Sequence, residues 1–239
     1  MNYKSIPKKE RLIFAMDVAN CSKAKSLVNE LGDSVIFYKI GLELMMSGEY
    51  FKLLDWMLLQ NKKVFCDLKF FDIPATVGSA VRQLKDRGVS FLTVHGNCSI
   101  LNAAAENKGD TLKILGVTAL TSLDRGDLND LGFDCNIEDL VLSRAKQTLD
   151  AGCDGVISSG LEVPKLRKYI DNKLIVVSPG IRPVDNKPTG DQKRVVSIES
   201  AFSNGADYIV VGRPIRDAVN PRAAAEAMQS SIEMHINKT

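Results

Sequence analysis

The sequence predicts an α/β protein that folds as one (β/α)8 barrel, a TIM barrel, with residues 1–239 forming a single domain. Three observations favour this fold. Short apolar segments alternate with helical patterns along the whole chain, the alternation makes eight strand–helix units, and each unit is roughly 30 residues long, as is typical of βαβ units. Strict alternation implies a parallel sheet, and eight units suit a closed barrel.

The predicted strands are short runs of β-branched and other apolar residues. They cover residues 12–17, 35–40, 63–70, 91–95, 112–117, 155–158, 174–178 and 208–212. The predicted helices cover residues 22–31, 42–60, 74–87, 99–107, 137–151, 161–170, 198–204 and 221–236. Several end before a glycine, the usual helix stop, at Gly88, Gly152 and Gly205.

A doubly wound open sheet is the rival fold. It usually carries G-x-G-x-x-G after its first strand, whereas Asp17-Val18-Ala19-Asn20 stands there in this chain. The longest irregular stretch is about 179–197, between the seventh strand and its helix. An irregular stretch of that length predicts a functional lid.

Composition excludes several classes of protein. The net charge of +2 provides no electrostatic reason to expect nucleic acid or a membrane surface as a partner. The five cysteines form no C-x-x-C pair, so we expect no metal site and free thiols in a reducing compartment. No apolar run approaches a membrane span, and the N-terminus does not resemble a signal peptide, so a cytoplasmic location is expected.

Charged side chains stand at the carboxyl ends of three neighbouring predicted strands, where barrel active sites form. Strand alternation places Asp67 and Lys69 on the face of Phe65, and the same parity turns Lys39 and Asp17 inward. The sequence therefore predicts a cluster of these four residues at the barrel mouth. A structural ion-pair plug is the alternative, although apolar residues would fill a barrel end at a lower free-energy cost.

A phosphate site is predicted after the eighth strand. Gly212 lets the backbone approach a ligand closely and Arg213 adds a guanidinium, in the part of a barrel where phosphate sites form. A simple turn with a solvated arginine is the alternative. Pro179 and Arg182 follow the seventh strand, and the amide of Gln192 could read the edge of a pyrimidine. His95 is interpreted as a hydrogen-bonded supporting group rather than a general base.

The segment Asp67-Leu68-Lys69-Phe70-Phe71-Asp72-Ile73-Pro74-Ala75-Thr76 resembles orotidine 5′-phosphate decarboxylases. The likeness extends over nearly the whole chain. D-x-K-x-x-D alone is shared by a wider superfamily of phosphate-binding barrels. The specific part is its combination with Lys39, the run Pro179-Gly180-Ile181-Arg182 and Gly190-Asp191-Gln192.

The resemblance implies conversion of orotidine 5′-phosphate to UMP and CO2 without a cofactor, the last step of de novo pyrimidine synthesis. Lys69 would donate the proton, with Asp67, Lys39 and Asp72 as the other catalytic residues. The implied substrate-binding residues are Asp17, Lys39, Asp67, Ile73, Thr76, Thr121, Pro179, Arg182, Gln192, Gly212 and Arg213. The resemblance also implies a homodimer in which Asp72, Ile73 and Thr76 enter the neighbouring site, although Asp72 could instead cap the following helix.

The sequence leaves two rival functions open. A 3-keto-gulonate 6-phosphate decarboxylase is a Mg²⁺-dependent enzyme of the same superfamily, with a glutamate ligand at the end of strand two, where this chain has Lys39. A non-catalytic nucleotide-binding barrel is the second rival. The complete set of Lys39, Asp67, Lys69 and Asp72 favours an enzyme over that alternative.

Overall fold

Eight parallel strands close into a barrel in the computed structural model, which describes residues 4–182 and 194–237. Each strand pairs with its neighbours in chain order, and the last pairs with the first. The strands are β1 (Leu12–Ala15), β2 (Phe37–Ile40), β3 (Lys63–Phe70), β4 (Phe91–Val94), β5 (Lys113–Val117), β6 (Gly155–Ile157), β7 (Ile175–Ser178) and β8 (Tyr208–Val211). The predicted TIM barrel is therefore confirmed, and each strand lies within a predicted segment.

The inside of the barrel is filled by alternate residues of each strand. Ile13, Phe37, Phe65, Phe91 and Tyr208 belong to one buried cluster. The residues between them face the helices, because successive side chains of a strand point to opposite faces. The strand parity used to place the charged cluster is thus the parity that the barrel has.

Helices cover the outside of the barrel. They are α1 (Cys21–Leu31), α2 (Leu42–Met45), α3 (Tyr50–Leu59), α4 (Pro74–Lys85), α5 (Cys98–Asn107), α6 (Arg125–Asp130), α7 (Ile137–Asp150), α8 (Val163–Tyr169), α9 (Ile198–Ser203), α10 (Arg213–Arg216) and α11 (Pro221–Asn237). Short 3-10 turns occupy Lys8–Glu10 and Gly32–Ser34. Within the described ranges, no helix is long and apolar enough to cross a membrane.

The prediction of one helix over 42–60 was wrong. The segment forms α2 and α3, separated by a break that includes Gly48 at a φ of 88°. A positive φ suits glycine and does not continue a right-handed helix. The consequence is that α2 lies at the barrel mouth and brings Leu42 to the edge of the cavity described below.

Helix α6 was not predicted, although its start has a recognisable sequence signal. The Asp124 carboxylate accepts hydrogen bonds from the backbone N–H groups of Gly126 and Asp127, and the Asp127 carboxylate accepts one from the Asp124 N–H. This reciprocal arrangement is a capping box, which satisfies backbone donors that a helix start leaves unpaired. It orders the long connection from β5 to α7.

A buried carboxylate stabilises the end of the barrel away from the mouth. Asp207 Oδ2 accepts hydrogen bonds from Lys4 Nζ at 2.6 Å, Arg167 Nη2 at 2.7 Å and the Val176 N–H at 2.9 Å. Arg11, only 1% exposed, donates to the backbone carbonyl of Asp207. These contacts connect the N-terminal segment, β7 and α8 at one point.

Candidate active site

A cavity of about 660 Å³ opens at the carboxyl ends of the strands. Its lining combines a charged side with apolar residues from the barrel interior. The lining residues are Ala15, Asp17, Lys39, Leu42, Phe65, Asp67, Lys69, Val117, Ala119, Leu120, Thr121, Ser122, Ile157, Pro179, Gly180, Arg182, Val210, Gly212, Arg213 and Arg216. The position and size suit a small-molecule site of a barrel enzyme.

The four charged residues predicted to meet at the mouth form a chain of alternating sign. Lys39 Nζ lies 3.2 Å from Asp17 Oδ1 and 3.3 Å from Asp67 Oδ2. Lys69 Nζ lies 2.9 Å from Asp67 Oδ1. Asp67 and Lys39 are largely buried, whereas Asp17 is about half exposed and Lys69 about one third. Asp67 is therefore the centre of the chain, with an ammonium group on each carboxylate oxygen.

This arrangement keeps Asp67 and Lys39 ionised despite burial. Burial alone would raise the pKa of Asp67, but Lys39 and Lys69, together with hydrogen bonds from Lys69 and Thr93, hold that pKa below its usual value. Burial would lower the pKa of Lys39, but the charges of Asp67 and Asp17 outweigh it and raise the pKa. Favourable charges thus exceed the desolvation cost for both groups.

The depressed pKa of Asp67 predicts how an Asp67→Asn variant responds to acid. The unfolded chain takes up a proton at Asp67 before the folded chain does, so the carboxylate's stabilisation is present above its unfolded pKa and is lost as pH falls through the folded pKa. The difference in unfolding free energy between wild type and Asp67→Asn should therefore be steady from about pH 5 to 7 and shrink below about pH 4.

Urea titrations at pH 3 to 7 measure this difference. Asp130→Asn, at an exposed position of α6, is the control, and it should show almost no difference at any pH. A difference for Asp67→Asn that did not change across this range would contradict the prediction. The raised pKa of Lys39 has the opposite sign: its contribution is present below the unfolded pKa and is lost as pH rises through the folded pKa.

The end of β3 departs from regular strand geometry where the chemistry is expected. Its pairing with β4 shifts register between Cys66 and Phe70, and Lys69 has a φ of 47°. A lysine in the left-handed region is uncommon, and strained backbone of this kind occurs at functional sites. The irregularity places the Lys69 ammonium beside Asp67 on the cavity side.

The part of the cavity wall that follows β7 and β8, beside Asp17, carries the predicted phosphate residues. Gly212 precedes α10, and an added Cβ there would lie 3.4 Å from Ala15 Cβ and 3.9 Å from Asp17 Oδ2. Arg213 begins α10, and Pro179 and Arg182 follow β7. Arg216 also lines the cavity and donates to the backbone carbonyl of Asp17 at 2.9 Å. The cationic wall and the Asp17 end of the charge chain are therefore connected.

A buried ion pair supports the wall formed by the β5–α6 connection. Arg194 Nη1 lies 2.6 Å from Glu162 Oε1, and both side chains are about one tenth exposed or less. Arg194 Nη2 donates to the Leu120 carbonyl at 2.8 Å, directly before Thr121. Burial raises the pKa of Glu162 against the opposing charge of Arg194. Arg194 thus ties α8 to a cavity wall without lining the cavity.

The segment that carries the predicted lid has a defined base. The Arg182 N–H donates to the Val196 carbonyl at 3.0 Å, and the Val196 N–H donates to the Gly180 carbonyl at 3.1 Å. Gly180 has a φ of 77°, and a Cβ there would lie 2.7 Å from the Arg194 carbonyl oxygen. The central part of the predicted lid, including Gln192, lies outside the described residues.

Three predicted site residues are not in this cavity. Asp72, Ile73 and Thr76 lie beyond β3 and are exposed, and the Asp72 carboxylate accepts a hydrogen bond from the Ile73 N–H. Ile73 is 67% exposed and the adjacent Phe71 is 70% exposed. Nine of the predicted site residues, Lys69 among them, line the cavity of this chain. Asp72, Ile73 and Thr76 lie outside it.

His95 is outside the cavity as well. Its ring packs edge-on against Phe71, and its Nε2 lies 3.4 Å from Arg144 Nη1. Burial, together with the charges of Arg144 and Lys69, lowers the pKa of His95, so its ring is neutral at pH 7. The interpretation of His95 as a supporting group rather than a general base agrees with this position.

Thr93 and Arg216 belong to the site but were not among the residues predicted from the sequence. Thr93 lies at the same parity as inward-facing Phe91, so alternation would have directed it at Asp67. A single polar residue in an apolar strand was the available signal. Arg216 had no comparable signal, because its approach to the cavity depends on the short helix that follows β8.

Comparisons with known proteins agree on one family. Residues 10–228 match the family described as "Orotidine 5'-phosphate decarboxylase / HUMPS family". An orotidine 5′-phosphate decarboxylase of Methylococcus capsulatus is 63% identical over 97% of this chain and 96% of its own length. An orotidine 5′-phosphate decarboxylase of Nitrobacter winogradskyi is 48% identical over 92% of this chain and 91% of its own length. The crystal structure of the Lactobacillus acidophilus enzyme superposes with a TM-score of 0.81 at 34% identity, covering 93% of this chain and 99% of that one.

Proposed function

Because the chain belongs to the orotidine 5′-phosphate decarboxylase / HUMPS family, we propose that it converts orotidine 5′-phosphate to UMP and CO2 without a cofactor. This would be the last step of de novo pyrimidine synthesis. The predicted family and the predicted enzyme class, a carbon–carbon lyase, are confirmed by full-length relatives of that name. The observation that carries the proposal is the chain Asp17–Lys39–Asp67–Lys69 at the cavity wall.

The reaction demands stabilisation of a carbanion. When the bond from C6 of the pyrimidine to its carboxylate breaks, CO2 leaves and the electron pair stays on C6. The ring has no adjacent group that absorbs these electrons well, so the protein must supply positive charge that is already in place. Lys69 supplies it, because Asp67 holds its ammonium at 2.9 Å in a fixed direction.

Lys69 is also the proton donor in this proposal. Its ammonium transfers a proton to C6 as CO2 departs, which yields UMP, and the neutral amine regains a proton from solvent. One proton is consumed for each CO2 released. The one-third exposure of the Lys69 side chain, in contrast to the more deeply buried Lys39, is consistent with this exchange.

Asp67 would lie beside the departing carboxylate. Its two oxygens already face Lys39 and Lys69, so it cannot move away from an incoming anion without losing an ion pair. Repulsion between the two carboxylates would favour loss of CO2. Asp67 also helps to keep Lys39 charged, as the raised pKa of that ammonium group indicates.

The remaining residues would bind the other parts of the nucleotide. Asp17 and Lys39 are assigned to ribose hydroxyls, and Arg213 with the Gly212 N–H to the phosphate. Pro179 and Arg182 would contact the nucleotide from the same wall of the cavity. Thr121 would address the base together with Gln192. Contacts to the phosphate, remote from C6, can supply binding energy that assembles the site around the reacting atoms.

Lys39 argues against the Mg²⁺-dependent alternative. Its ammonium sits between Asp17 Oδ1 and Asp67 Oδ2, at 3.2 and 3.3 Å, where it already pairs with the two carboxylates that a cation would need. A divalent ion there would be repelled by a charged lysine. The donor set therefore suits an ammonium group better than a metal ion.

Asp72, Ile73 and Thr76 are assigned to the site of a second copy of the chain in a homodimer. All three are exposed, and the exposed side chains of Ile73 and the nearby Phe71 are apolar. Both features support a role at a contact between subunits. A two-fold dimer would give each site one such segment from its partner. Each active site would then contain Lys69 of one chain and Asp72 of the other.

Mixing two inactive variants tests this arrangement. Lys69→Ala and Asp72→Ala should each be nearly inactive, but a heterodimer contains one site with both native residues. After subunit exchange of equal amounts, roughly a quarter of wild-type activity should return, since half of the dimers are mixed and half of their sites are intact. Mixing each variant with itself is the control. Absence of recovery in a verified heterodimer would argue that Asp72 acts within its own chain.

The loss of orotidine 5′-phosphate absorbance, measured with and without EDTA, tests the function as a whole. We expect turnover that EDTA does not change. Turnover abolished by EDTA and restored by Mg²⁺ would favour the metal-dependent alternative. Tight UMP binding without turnover would favour a non-catalytic nucleotide-binding barrel.

A further inference from the structure

Thr93 contacts the last two members of the charge chain, Asp67 and Lys69, without lining the cavity. It lies on β4, is fully buried, and its Oγ1 lies 3.0 Å from the Lys69 backbone N and 2.9 Å from Asp67 Oδ1. No other residue is hydrogen-bonded to both of these residues among the bonds described. The Thr93 hydroxyl therefore links Lys69, the proposed proton donor, to the Asp67 carboxylate that holds its ammonium group.

The direction of both hydrogen bonds follows from chemistry. A backbone N–H can only donate, so the Thr93 hydroxyl accepts from Lys69. An ionised carboxylate can only accept, so the same hydroxyl donates its single proton to Asp67 Oδ1. The depressed pKa of Asp67 keeps that carboxylate ionised. Each bond thus uses a different capacity of the hydroxyl, and neither competes with the other.

These two bonds meet at the irregular end of β3. Lys69 has a φ of 47°, and the strand shifts register between Cys66 and Phe70. A backbone N–H that leaves the regular ladder needs another acceptor when it is buried. Thr93 provides it, and in this way compensates for a backbone conformation that lysine rarely adopts.

The same bonds restrict the Asp67 carboxylate. Oδ1 accepts from Thr93 at 2.9 Å and from Lys69 Nζ at 2.9 Å, while Oδ2 faces Lys39. Rotation of the carboxylate would break at least one of these contacts. A β-branched residue in a strand has restricted rotamers, so the γ-methyl of Thr93 helps to keep the hydroxyl in place.

We propose that Thr93 is a positioning residue for this reaction, which fixes the Lys69 ammonium and the Asp67 carboxylate in the geometry that protonates C6. The proposal rests on the proposed function of Lys69. Thr93 contacts two residues of the reaction centre and would not contact the substrate. It should therefore affect the chemical step more than nucleotide binding, because small displacements of a donor are costly for proton transfer.

The test compares Thr93→Val, which keeps the shape and removes the hydroxyl, with Thr93→Ser, which keeps the hydroxyl. Thr93→Val should lower kcat roughly 10- to 100-fold, in line with the loss of a hydrogen bond to a charged group. The Kd for UMP should stay within about threefold of wild type, and Thr93→Ser should keep kcat within about threefold.

Thr148→Val is the matched control. Thr148 is 1% exposed on α7, its hydroxyl donates to the Arg144 carbonyl at 2.8 Å, and it is not part of the cavity lining. The Thr148→Val variant should lose about as much stability as Thr93→Val but keep the wild-type kcat. A kcat of Thr93→Val within about twofold of wild type, an equal loss in Thr148→Val, or a Thr93→Ser variant as impaired as Thr93→Val would overturn the proposal. If Thr93→Val does not fold, Thr93→Ala against Thr93→Ser provides the same comparison.

Failure of the proposed function would be visible separately. It would appear as wild-type protein that does not consume orotidine 5′-phosphate. In that case a crystal structure of Thr93→Val still decides whether Thr93 positions Lys69. We expect Lys69 to leave the left-handed region and its ammonium to separate from Asp67, whereas unchanged positions of both residues would overturn the proposal.

Discussion

Lys69→Ala is expected to reduce kcat by at least about 10⁴-fold. The variant loses both a positioned proton donor, worth typically 10² to 10⁴-fold, and a preorganised charge at the developing carbanion, worth a further 10² to 10³-fold. UMP binding should remain measurable, because Gly212 and Arg213, which follow β8 rather than β3, would still hold the phosphate. Steady-state assays and UMP titration measure the two quantities.

Two further variants show whether the effect is specific. Lys69→Arg keeps a positive charge but presents a guanidinium that does not release its proton near neutral pH, so it should also be nearly inactive. Lys108→Ala removes a lysine that is paired with Asp154 at 2.6 Å, away from the cavity, and should leave kcat unchanged. Activity of Lys69→Ala within tenfold of wild type would refute the proposed role.

Asp207→Ala should lower the free energy of unfolding by about 3–5 kcal/mol, the range for breaking a buried ion pair by removing one partner. Three donors share Asp207 Oδ2: Lys4 Nζ, Arg167 Nη2 and the Val176 N–H. Removal of the carboxylate leaves two cations and one backbone N–H without this acceptor in a poorly hydrated place. Urea denaturation followed by circular dichroism measures the loss.

Asp207→Ala should lower the stability of the protein without lowering its kcat. Asp207 lies at the end of the barrel away from the cavity, so folded Asp207→Ala should keep the wild-type kcat. Asp134→Ala is the control for stability, because the Arg125–Asp134 pair is exposed, and such pairs contribute at most about 1 kcal/mol. A loss for Asp207→Ala no larger than for Asp134→Ala would show that the buried cluster contributes little to stability.

The strands and their parity were predictable because they depend on local pattern. Every observed strand lies inside a predicted segment, since an apolar run between turn residues has few other conformations in a barrel. The parity of Phe65, Asp67 and Lys69 followed from the period of two, and the meeting of Asp17 and Lys39 with them followed from the shared edge of parallel strands. The helix boundaries were less accurate where a break depended on one backbone angle, as at Gly48.

The sequence by itself thus determined the barrel, its strand order and the identity of the four charged residues at its mouth. Only the tertiary structure decided how these residues are held. The left-handed Lys69, the two hydrogen bonds of Thr93 and the support of the Leu120 carbonyl by Arg194 join residues from different strands and loops. The physical reason is that periodicity states which face a side chain occupies, whereas a hydrogen bond requires its two atoms to lie about 3 Å apart. That separation depends on the register, the bulge and the packing of the closed barrel.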